Sequence, residues 1–87
     1  MVYITHVRFD GEGTSAEHIV MLRWRQAIGD TNITDMIKWI ESGGVAKVSD
    51  GHHDEDVTVV REAGRAPYLQ TVAGGQPTNT IAALPRF

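Results

Sequence analysis

Asn32-Ile33-Thr34-Asp35-Met36-Ile37-Lys38-Trp39-Ile40-Glu41-Ser42-Gly43-Gly44 is the stretch whose reading decides the fold. Ile33, Met36, Ile37 and Ile40 recur at i, i+3, i+4 and i+7, which is one stripe of an α-helix. Asn32 suits an N-cap. Asp35, three residues on, places a carboxylate where the amides of the first turn are unpaired and the dipole is positive. Gly43-Gly44 supplies residues that take the left-handed conformation ending a helix. A helix of about ten residues is marginal alone in water, so it needs a sheet to lie on. Trp39 falls about 100° or more from the centre of the stripe. It covers the helix edge or anchors a partner, tryptophan being enriched in binding hot spots.

Outward from the helix the hydrophobic period changes to two. Val2 to Phe9 reads as a strand, and His18 to Gln26 as a second, because Arg23 and Arg25 alternate with Leu22 and Trp24. Ala27 to Thr31 connects the second strand to the helix. After the helix, Val45 to Ser49, Val57 to Arg61 and Tyr68 to Ala73 read as strands. They are separated by the polar turn Asp50 to Asp56 and the turn Glu62 to Pro67, and Gly74-Gly75 turns the chain after the last of them. Gln76 to Thr80 leads into Ile81-Ala82-Ala83-Leu84-Pro85-Arg86-Phe87, a tail whose Ile81, Leu84 and Phe87 predict docking, with a short sixth strand as one form of it. The order β-β-α-β-β-β predicts an α+β fold: a mostly antiparallel sheet of about five strands with one helix packed on one face.

Pairing the first hairpin symmetrically about its loop places His6 near Met21 and Phe9 near His18. His6, Arg8, Arg23 and Arg25 then share a face with Ile4, Ile19 and Met21, while Tyr3, Val7, Phe9, Val20, Leu22 and Trp24 face the core. Arginines mixed with apolar residues on one sheet face suit a phosphate, a nucleic-acid backbone or an acidic partner. The plainer reading is a solvent face whose arginines pair with nearby acids.

The 87 residues fit one domain, 1–87, and they contain no cysteine, which excludes a disulfide framework and a thiolate zinc site. No apolar stretch approaches the ~20 residues of a membrane span, and the N-terminus lacks a secretory pattern, so a soluble cytoplasmic protein is expected. Asn32-Ile33-Thr34 matches a glycosylation sequon, which carries no weight without export. The net charge of −3 argues against nonspecific nucleic-acid binding.

Five motifs stand in order along the chain: Tyr3-Ile4-Thr5-His6-Val7-Arg8; Glu17-His18-Ile19 with Leu22-Arg23-Trp24; Asp35-Met36-Ile37-Lys38-Trp39-Ile40-Glu41 running into Gly43-Gly44; Pro67-Tyr68-Leu69 with Thr71; and Ala83-Leu84-Pro85-Arg86-Phe87. Together they resemble the small bacterial family catalogued as domain of unknown function 3892. The resemblance implies a stand-alone small soluble domain and assigns neither an activity nor site residues. At Gln76-Pro77 the chain departs from the bulky aromatic such proteins tend to carry, so the strand there is expected to be short.

Catalytic groupings are absent from the pattern: no serine sits in a nucleophile elbow, and neither lysine has the surroundings of a nucleophile. His52-His53-Asp54-Glu55-Asp56 has ligand chemistry, but adjacent residues of an extended segment point to opposite sides, so a solvated turn is the stronger reading and no metal is expected. Gly11-Glu12-Gly13-Thr14-Ser15 lacks the spacing and lysine of a phosphate loop. The expectation is a non-enzymatic protein–protein interaction module without a cofactor, with homodimerisation as one form of partnership. The alternative is a phosphate or nucleic-acid binder. The candidate binding residues are His6, Arg8, Arg23, Arg25 and Trp39.

Overall fold

The chain enters the sheet in its middle and builds outward in both directions. The computed structural model describes residues 1–11, 13–25, 29–49 and 52–87. Glu12 of the first loop, Gln26, Ala27 and Ile28 of the expected second strand and connection, and Asp50-Gly51 of the polar turn lie outside the described residues. The elements are β1 (Val2–Phe9), β2 (Ile19–Arg25), β3 (Gly29–Asn32), α1 (Ile33–Glu41), β4 (Ala46–Ser49), β5 (Asp54–Val60), β6 (Tyr68–Ala73) and β7 (Gln76–Thr78). All seven strands join one sheet in the order β3-β2-β1-β4-β5-β6-β7. The α+β class and the helix order agree with the reading of the sequence, but the sheet has seven strands, not about five, and is mixed.

Each difference has a local cause. β3 lies where a connection is expected: Gly29-Asp30-Thr31-Asn32 has no apolar alternation, and it is a strand because its backbone pairs with β2 from Met21↔Asn32 to Trp24↔Gly29. β7 forms from the three residues after Gly74-Gly75 and carries Pro77, which lacks an amide and is tolerated on an outer strand. The chain leaves β3 at one edge, and α1 carries it back past β2 and β1. It therefore re-enters beside β1 in the parallel sense, pairing Val2↔Ala46 and Tyr3↔Lys47. Asp54, Glu55 and Asp56, expected in a turn, open β5 instead. His18 closes a 3-10 turn over Ala16–His18, so β2 starts at Ile19.

Two irregularities set which side chains face inward. Pairing runs Ile4↔Trp24 and then His6↔Arg23, so Thr5 is an extra residue on β1; it runs Arg8↔Met21 and then Phe9↔Ile19, so Val20 is extra on β2. An extra residue reverses the phase of alternation beyond it. Ile4 and Val7, three apart, both face the core, as do Ile19 and Leu22. The expected outward placement of Ile4 and Ile19 is therefore corrected, and so are the partners of His6 and Phe9. Tyr3, expected inside, is only half-buried and lies on the outer face, with its hydroxyl donating to Asp54 Oδ2 at 2.7 Å.

α1 buries Met36 and Ile37 against Ile4, Val7, Leu22, Val48, Val57 and Leu69, with Ile33 and Ile40 half-buried at its flanks. Asn32 caps it as expected: its Oδ1 accepts the Asp35 amide at 2.8 Å. At the other end Gly44 N–H donates to Trp39 O and Gly43 N–H to Ile40 O, the paired bonds of a Schellman stop, with Gly43 at φ +110°. Gly44 serves a different purpose. A Cβ there would lie 2.3 Å from Trp39 Cδ2 and 2.4 Å from Cε2, the two ring-fusion atoms. The indole face therefore rests on the Gly44 backbone.

The core face continues into a polar patch. Glu55, opposite Val48, is 7% exposed and Thr71, opposite Val57, is fully buried. The Ile81 amide donates to Thr71 Oγ1 at 3.2 Å, Thr71 and Thr78 hydroxyls stand 2.6 Å apart, and Thr78 and Thr80 hydroxyls donate to the two Glu55 oxygens. This chain of bonds ties Ile81, itself fully buried, to the sheet. The tail beyond it docks as expected, but as a 3-10 turn over Ile81–Ala83 followed by one parallel bridge, Val7↔Arg86, not as a sixth strand.

Candidate functional site

The arginines gather on the outer face as the alternation predicts, and the tail lies among them. Val7 N–H donates to Pro85 O at 2.9 Å and Phe87 N–H to Val7 O at 3.2 Å, which lays Phe87 over this face. The Arg8 and Arg23 guanidinium carbons sit 4.6 and 4.2 Å from the centre of its ring, and Arg8 Nε donates to Phe87 O at 2.9 Å. Arg23, paired across strands with Asp30, donates to both its carboxylate oxygens at 2.9 and 3.3 Å. That bond holds the Asp30 carboxyl below its ordinary range. Arg25 stacks over Tyr3 at 5.1 Å, and the Asp54 bond holds the Tyr3 phenol above its ordinary value. His6, across from Arg23, is 3.0 Å from Thr5 Oγ1 through Nδ1. Lys47 and Asp56 close the network at 2.6 Å. His6, Arg8, Arg23 and Arg25 are thus brought together, and each is already engaged within the molecule.

Trp39 lies on α1, on the opposite side of the sheet, and it belongs to a second site. It is 38% exposed and lines a groove of about 330 Å³ together with Val2, Trp24, Thr31, Asp35 and Met36. The groove runs between α1 and the ends of β1, β2 and β3. Trp24 is fixed by its indole N–H donating to Thr31 Oγ1 at 2.9 Å. Trp39 is fixed from behind by Gly44. Asp35 sits at the first turn of α1, its Oδ2 accepting from Asn32 Nδ2 at 3.2 Å. It is the one ionisable side chain among the described lining residues. Two aromatic rings held on two different elements, with apolar walls and one charged group, have the make-up of a site for a side chain or small apolar ligand.

Sequence reasoning reaches Trp39 and misses its companions. Trp24 looks like one more inward residue of an alternating strand, and Val2, Thr31 and Met36 bear no chemical signature. The signal that could find the groove is the pair of tryptophans, since Trp24 ends the inward row of β2 and Trp39 borders the helix stripe.

On the far flank of α1 a smaller hollow of about 220 Å³ lies beside the Arg61–Glu41 ion pair. That pair is bidentate, with Arg61 Nε donating to Glu41 Oε2 at 2.7 Å, and it holds the Glu41 carboxyl below its ordinary range. Among the described residues no group of three or more His, Cys, Asp or Glu converges as metal ligands would, and no helix is long and apolar enough to cross a membrane. Comparison with models of known families, with curated proteins and with solved structures returns no match, so the groove and the arginine face are read from their geometry alone.

Proposed function

We propose that this protein is a non-enzymatic, cytoplasmic protein-binding module whose docking surface is the groove between Trp24 and Trp39. The observation that carries the reading is Trp39 itself: a tryptophan more than a third exposed, yet braced on Gly44 and lining an apolar groove. A braced aromatic loses little freedom when a partner arrives, which is what a binding hot spot needs. An acid–base pair would favour an enzyme, but Asp35 stands as the single ionisable group among the described groove residues. Membership of the small bacterial family suggested by the five motifs is part of the same proposal.

Phosphate or nucleic-acid binding through Arg8, Arg23 and Arg25 is the lesser reading. A phosphate would have to displace Asp30 and the Phe87 ring before meeting two of these guanidinium groups. Selection of peptides from a random display library tests the main reading. Enriched peptides are expected to shift the Trp24 and Trp39 indole resonances and to lose at least about tenfold in affinity on Trp39→Ala, the scale of a hot-spot residue. Absence of enrichment, or binders that map to another face, contradicts it.

A further inference from the structure

The geometry points to a lysine side chain of the partner protein as the occupant of the groove, its ammonium held by the two indoles and Asp35. This rests on the protein-binding reading and adds the chemistry of the anchor. Val2 and Met36 give apolar walls to a tetramethylene stem, which buries readily along such a surface. Tryptophan has the most favourable ring for attracting a cation, and the groove has two. The only lining charge among the described residues is the Asp35 carboxylate, so the complementary charge is positive. The protein's net charge of −3 favours approach of a basic segment. The form of the cation follows from the carboxylate. Among the described residues, the side-chain bond made to Asp35 falls on Oδ2, from Asn32 Nδ2, which leaves Oδ1 for the incoming group. A guanidinium seeks two carboxylate oxygens at once, whereas an ammonium is a point charge that one oxygen serves.

Three capped tripeptides test this: acetyl-Ala-Lys-Ala-amide, its norleucine analogue and its arginine analogue. They are titrated into the intact protein while the indole N–H resonances are followed. The lysine peptide is expected to shift both indoles saturably, about fivefold more tightly than norleucine and more tightly than arginine. Its advantage should vanish in Asp35→Asn, a change that leaves Asn32 Oδ1 to accept the same backbone amide. If Asp35→Asn loosens the fold, raised salt serves instead, weakening the lysine peptide and sparing norleucine. Norleucine binding as well as lysine, arginine binding better, or no shift from any peptide overturns the lysine anchor. Equal binding by norleucine leaves the protein-docking groove standing, and failure of the display selection removes the groove itself, so the two outcomes are separable.

Discussion

Gly44 carries a packing role that its neighbour Gly43 does not. Gly43 takes a positive φ, while Gly44 is needed because the Trp39 ring occupies the space of a β-carbon. Gly44→Ala should push the indole off its seat, at a cost of about 1–3 kcal/mol if the ring cannot swing clear. An unchanged Trp39 indole resonance in that variant would refute the contact. The buried threonine Thr71 makes a second residue-scale claim. Thr71→Val removes the hydroxyl that receives the Ile81 amide and meets Thr78, and should lose about 1–3 kcal/mol in urea unfolding, with Thr71→Ser close to wild type. Equal losses for the two variants would place the effect in packing instead.

At the scale of elements, the helix is legible in full: cap, stripe and stop are all local, and α1 runs over Ile33–Glu41 behind Asn32. The strands are legible where apolar residues alternate, in β1, β2, β4, β6 and residues 57–60 of β5. What escapes the sequence is set by partners distant in the chain. β3 exists through β2, β7 through β6, and the extra residues Thr5 and Val20 become visible only when two strands are aligned. Those two residues decide that Ile4 and Val7 lie on one side and Tyr3, His6 and Arg8 on the other. Deleting Thr5 should remove the bulge and leave Ile4 and Val7 two positions apart, still on the core face, so the variant should keep a cooperative unfolding transition in circular dichroism. Loss of the cooperative transition in that variant would contradict the reading of Thr5 as the extra residue. The groove was out of reach for the same reason, since its lining comes from three strands and the helix.

Over the whole molecule, one face of the sheet is apolar and covered by α1 and Ile81–Leu84, and the other is a surface of self-paired charges. Asp30 and Glu41 are held below their ordinary range by Arg23 and Arg61. A depressed carboxylate contributes stability that is present above its unfolded value and is lost as pH falls through its folded value. The melting temperature should therefore drop in acid. Arg61→Met should lie slightly below wild type at neutral pH and converge with it at low pH, since exposed pairs contribute little. A gap that widens in acid would reverse the assignment. Tyr3 works in the opposite direction: its raised value leaves its bond to Asp54 intact through neutral pH and releases it only in strong base.

The groove on the helix side is the proposed docking surface, and the indole N–H signals of Trp24 and Trp39 report on it directly. Titration with a display-selected peptide should move both signals together and saturate, with Arg8, Arg23 and Arg25 unaffected across the sheet. Movement of the arginine signals with both indoles still would place the binding surface on the other face and contradict the account.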